Sequence, residues 1–86
     1  MDRQGTIMYN SEFLDFKNSV AESTGFTCYE VNPGDQQTWY GTSDKLAELK
    51  TALEESGILN TGTIIFVMDT TKKYMYSAYK ETWYEL

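Results

Sequence analysis

Eighty-six residues, 41% hydrophobic and 15% aromatic, suffice for one domain spanning residues 1–86 and leave no room for a second core. The single cysteine, Cys28, excludes an intrachain disulfide, and the lack of histidine excludes Cys–His and Ser–His–acid machinery within one chain as well as Cys/His zinc clusters. The net charge of −6 is carried by residues 1–60, with ten acids against four bases, and it disfavours direct contact with nucleic-acid phosphates.

The longest apolar run is Ile64-Ile65-Phe66-Val67-Met68, far short of the roughly 18–20 residues of a membrane helix. Met1-Asp2-Arg3-Gln4-Gly5 lacks a basic segment followed by an apolar stretch, so no secretory signal peptide is expected.

In chain order, Thr6-Ile7-Met8-Tyr9 suggests a short strand. Asn10 or Ser11 then serves as N-cap of a helix reaching Glu22, with Glu12 in its first turn. Phe13, Phe16 and Val20 recur at spacings of three and four on its apolar side, and Gly25 stops it. Residues 26–31 and 36–40 are expected as strands, the second holding Trp39 and Tyr40. Between them, Pro33-Gly34 fits a type II turn with glycine at positive φ, making the pair a hairpin.

The clearest element is a helix over residues 44–56, capped by Thr42 or Ser43, with Leu46, Leu49 and Leu53 as its apolar stripe. Gly57 is expected in the left-handed C′ position, with Ile58 folding back at C″. Glu54 and Glu55 oppose the dipole at its C-terminus at a cost of a few tenths of a kcal/mol each, about, which does not overturn the assignment. Three strands follow, at 63–68, 73–78 and 82–86, joined by short turns into an antiparallel meander. The first is apolar on both faces and is therefore expected at the centre of the sheet. The expected fold class is α+β, an antiparallel sheet of about four to six strands with one or two helices packed on one face.

Catalytic chemistry finds little purchase. Adjacent Glu54 and Glu55 diverge on a helix rather than converging on one substrate atom, and no spaced oxygen-ligand loop or glycine-rich phosphate loop occurs. No enzyme activity and no cofactor is expected. Cys28, in a strand-like run, is expected to be a small buried hydrophobe. Lys72-Lys73 is expected to serve solubility and edge protection. The informative set is aromatic: Trp39, Tyr40, Tyr74, Tyr76, Tyr79, Trp83 and Tyr84 are too many for a thin core to hide completely. Trp39, Tyr40, Tyr74, Tyr76, Tyr79 and Trp83 are the candidate interface residues, with Tyr79 at a turn the best outward candidate. Cross-strand pairing within the sheet is the competing role for these rings.

The segment Gly62-Thr63-Ile64-Ile65-Phe66-Val67-Met68-Asp69-Thr70-Thr71-Lys72-Lys73-Tyr74-Met75-Tyr76, followed by Lys80-Glu81-Thr82-Trp83-Tyr84-Glu85-Leu86, resembles a module of small proteins from tailed phages and prophages of Gram-positive bacteria. Their pattern runs glycine, hydrophobic strand, Asp-Thr-Gly-Lys, Tyr-rich strand, polar turn and closing Trp strand. Asp69-Thr70-Thr71 departs from it, because β-branched threonine resists the positive φ that glycine takes, so a different turn is expected. The resemblance implies phage origin, a place in the virion or the host cytoplasm, and a non-catalytic binding role.

Three roles follow as expectations. The first is a virion-associated accessory protein of head, neck or tail, acting through protein–protein contacts and compatible with a homo-oligomer. The second is an inhibitor of a host defence system, of the anti-CRISPR kind, whose acids, including Glu48, Glu54 and Glu55, block a basic nucleic-acid groove. The third is a small-ligand sponge built on an aromatic cage.

Overall fold

A computed structural model describes residues 9–34 and 36–86. Two helices and five strands follow one another as α1 (Asn10–Thr24), β1 (Thr27–Cys28), β2 (Thr38–Gly41), α2 (Leu46–Ser56), β3 (Ile64–Val67), β4 (Lys72–Ser77) and β5 (Thr82–Glu85). This is an α+β fold. The strand expected near Thr6–Tyr9 falls mostly outside the described residues.

The strands lie side by side in chain order, β1-β2-β3-β4-β5, which puts β3 at the centre as expected. The sheet is mixed rather than antiparallel throughout. β2 and β3 run parallel, with Thr38 opposite Ile64 and Trp39 opposite Ile65, while the other three pairings are antiparallel. The reason is α2. A parallel neighbour needs a crossover of a dozen or more residues, and the helix between the two strands supplies it.

Both helix stops expected from glycine are present: Gly25 has φ 78° and Gly57 has φ 82°. The starts differ. Tyr9 rather than Asn10 or Ser11 is the N-cap of α1, and the Glu12 carboxylate accepts the Tyr9 backbone N–H at 2.8 Å. A 3₁₀ turn, Ser43–Lys45, precedes α2. Its first amide is held from elsewhere: Asp69, in the β3–β4 turn, accepts the Ser43 N–H at 2.9 Å and the Ser43 hydroxyl at 2.7 Å. That turn is thereby tied to the start of α2. These bonds hold the Asp69 carboxyl below its usual range.

The expected hairpin at Pro33-Gly34 is also different. The strands are shorter, leaving residues 29–37 as a long connection, and Gly34 does not take positive φ. Instead the Gln37 side-chain amide donates to the Pro33 carbonyl at 2.8 Å. The Glu30 carboxylate accepts the Thr38 amide at 3.0 Å and the Cys28 thiol at 3.1 Å. Burial alone would raise the Glu30 pKa, but those two donors outweigh it and hold the group below its ordinary value. This tie is present at neutral pH and is lost as pH falls through the depressed value.

The core gathers Phe13 and Val20 of α1, Leu49 and Leu53 of α2, and Cys28, Trp39, Ile65 and Val67 of the sheet, with Phe26 and Ile58 from the connections. Trp39 is completely buried, meets Phe16 edge-on at 6.0 Å between centroids, and donates its indole N–H to Gln37 at 3.3 Å. Phe26 closes on the backbone of Gly41, where an added Cβ would sit 2.6 Å from Cγ of the ring. Gly41→Ala is therefore expected to destabilise the fold by about 1–3 kcal/mol, the cost of overpacking a fixed core. Urea denaturation checks this, and an unchanged midpoint would show that the Phe26 ring has room to retreat.

Both meander turns end on a residue with positive φ: Thr71 at 58° and Glu81 at 51°. The expectation that threonine would force another turn type is overturned. Thr71 accepts the left-handed conformation at the position where the phage pattern has glycine, since a short hairpin loop needs that backbone to close. Removing about 1–2 kcal/mol of left-handed strain against a glycine entropy cost of about 0.5–1 kcal/mol sets the expected gain. Thr71→Gly and Glu81→Gly should each raise thermal stability by a few degrees, Thr71→Gly more because its side chain is β-branched. Calorimetric scans test this, and a loss of stability in both variants would contradict it.

Candidate functional site

Alternation along β2 and β3 divides the sheet into two unlike faces. In both strands the second and fourth residues are buried and the first and third are half-exposed. Trp39, Ile65 and Val67 face the core. Register places Thr38, Ile64, Met75 and Tyr84 in one row across the opposite face, and Thr27, Tyr40, Phe66 and Lys73 in the next. This second face is not sealed. Thr38, Tyr40, Ile64, Phe66 and Met75 are half-exposed, and Tyr84 is 50% exposed.

The rings on this face touch one another. Tyr29, 75% exposed in the β1–β2 connection, lies 5.9 Å from Tyr40, which meets Phe66 nearly at right angles at 6.0 Å. Such pairs contribute about 0.5–1.5 kcal/mol beyond their buried area, so they stiffen the face without covering it. Thr38, Tyr40, Ile64, Phe66 and Lys73 line a shallow depression of about 300 Å³. Lys73 is the one charged residue in the two rows, and its Nζ lies 5.5 Å from the Phe66 centroid.

The residues singled out from sequence fall in different places. Trp39 is a core residue with 0% exposure. Apolar surroundings on both sides of its strand position and a partner for its indole N–H account for that. Tyr74, Tyr76 and Trp83 lie on the core side of the sheet by register, half-buried. Lys50 of α2 reaches over them, 4.8 Å from the Tyr74 ring and 6.0 Å from Trp83, while Tyr76 and Trp83 pair at 5.1 Å. Tyr79 projects from the β4–β5 turn with 89% exposure. Tyr40 alone of the six belongs to the open face.

The acidic set also separates. Glu48 and Glu55 lie with Ala47, Thr51 and Ala52 along the outer side of α2. Glu54 turns towards β4, where with Glu81 it adds to burial in raising the Tyr76 phenol pKa. Glu12, Glu30, Asp44 and Asp69 each accept a hydrogen bond from the chain itself.

Sequence reasoning missed Tyr29, Ile64, Phe66, Met75 and Lys73 as site residues. The signal was present: a strand apolar on both faces needs cover on both, and the buried residues of α1 and α2 join Trp39, Ile65 and Val67 in one cluster.

Cys28 is 6% exposed and its thiol is pushed up to about 12, chiefly by burial and then by its hydrogen bond to Glu30. Among the described residues, no three Cys, Asp or Glu side chains gather where they could hold a metal ion, and no helix is long and apolar enough to cross a membrane. Comparison of the chain with protein-family models, with curated proteins and with solved structures returned no match.

Because the thiolate is the reactive form, Cys28 should resist Ellman's reagent at neutral pH and react fully once urea unfolds the chain. Fast native-state labelling, measured by absorbance, would show that β1 opens to solvent.

Proposed function

We propose that this chain is a non-catalytic binding protein that holds a protein partner on the open face of its sheet. The observation that carries this is the uncovered pair of rows holding Tyr40, Ile64, Phe66, Met75 and Tyr84, apolar side chains presented on strands rather than on loops. A contiguous exposed apolar patch on a small domain marks a contact surface. Anchors fixed by a rigid scaffold lose little freedom on association, because backbone and neighbouring rings already hold them in place. Aromatic residues of this kind dominate the energetics of interfaces. Tyr79, at the turn, adds a second point of contact beyond the sheet.

The resemblance of residues 62–86 to phage modules supports a virion-associated accessory role. The defence-inhibitor role draws less support. Four acids are occupied within the chain, and the remaining candidates on α2 point two ways, Glu48 and Glu55 outward and Glu54 towards Tyr76. A phosphate-mimicking surface requires carboxylates arrayed on one side.

The test is site-specific photocrosslinking in cells producing the phage, with p-benzoylphenylalanine at Phe66, Met75, Glu48 or Glu55, followed by density-gradient fractionation. The expected result is that the chain bands with particles and that Phe66 and Met75, but not Glu48 or Glu55, crosslink to a particle protein. Crosslinks from Glu48 and Glu55 to a soluble nucleic-acid-binding protein would overturn this function in favour of the inhibitor.

A further inference from the structure

The depression on the open face is asymmetric in charge. It is lined by Ile64, Phe66, the Tyr40 ring and Thr38 together with Lys73, whose ammonium stands over the Phe66 ring. Lys73 forms no ion pair among the described residues and shares the two rows with rings, aliphatic groups and the hydroxyls of Thr27 and Thr38. In a chain of net charge −6, no acid is among the residues that line the depression. Glu48 and Glu55 are on the outer side of α2, and Glu85 is on the other side of the sheet from Tyr84 by register. Lys73 is therefore the charged side chain among those lining the depression.

We infer that this depression receives an apolar group bearing one negative charge: a ring or branched side chain of the partner seated on Tyr40, Ile64 and Phe66, with a neighbouring carboxylate on Lys73. The inference rests on the open face being the contact surface and adds the chemistry of the group that fills it. A depression of about 300 Å³ has room for one such group. A neutral apolar group would cover the ammonium without replacing its water, and a basic group would meet a like charge. A carboxylate satisfies Lys73 while the ring displaces water from the floor, so the two interactions reinforce each other at one point. Lys73 then selects among partners that Tyr40 and Phe66 alone would accept equally.

Two dyes of one skeleton separate ring from charge: 8-anilinonaphthalene-1-sulfonate, an anion, and N-phenyl-1-naphthylamine, which is neutral. Each is titrated by fluorescence into the full chain and its variants, and amide NMR shifts locate the site. The expected outcome is that the anionic dye shifts Thr38, Tyr40, Ile64, Phe66 and Lys73. Lys73→Gln should weaken it about fivefold, as for a partly exposed ion pair. Lys72→Gln removes the same charge from the opposite face of the sheet by register and should leave binding unchanged. The neutral dye should not distinguish the three proteins. If Lys73→Gln and Lys72→Gln act alike while the shifts stay on this face, the charge preference is wrong and the open face survives as a contact surface. If the shifts fall on α2 or at Tyr79, the site and the contact surface are both wrong.

Discussion

Burial of Trp39 is the constraint on which the rest of this molecule depends. The indole sits at 0% exposure between its strand neighbours Cys28 and Ile65, with Phe16 edge-on and Gln37 accepting its N–H. Side chains alternate strictly along a strand, so fixing Trp39 inward fixes Thr38 and Tyr40 outward, and the register carries that parity across β3, β4 and β5. A slip of one residue would exchange a core containing Trp39, Ile65 and Val67 for one containing Tyr40, Ile64 and Phe66. The second set is nearly as apolar as the first. What distinguishes them is that the helices supply Phe13, Val20, Leu49 and Leu53 to the first set.

A small chain has a limited amount of apolar surface with which to cover a sheet. Fifteen residues of α1 and eleven of α2 contribute their buried stripes to one cluster. The other face keeps rings that brace one another, Tyr29 on Tyr40 and Tyr40 on Phe66, yet remain reachable. Structure and proposed function thus share a cause: the side chains that the core did not absorb are those available to a partner. Charge follows the same division. Acids serve as caps and ties, as Asp69 does for the start of α2 and Glu30 for the β1–β2 connection, while Lys73 stands among the rings.

The meander shows how local rules yield to closure. Thr71 and Glu81 both take left-handed backbone at the end of a four-residue loop. Neither residue favours that conformation, but the pairings Val67–Lys72 and Ser77–Thr82 fix both ends of each loop. Strain at one residue is offset by the ladders it permits.

The sequence by itself determined both helices, their glycine stops and the three C-terminal strands, because 3.6-residue and two-residue periodicity and left-handed glycines are local properties of the chain. It also marked β3 as central through its two apolar faces. Only the tertiary structure decided that β2 and β3 run parallel, that Asp69 caps a helix from a distant turn, and that Trp39 lies inside while Tyr40, its neighbour, lies outside. Pairing direction and the choice of buried face depend on which surfaces meet in space, and residues such as Tyr40 and Phe66, apolar enough for either face, are assigned by their neighbours rather than by their own chemistry.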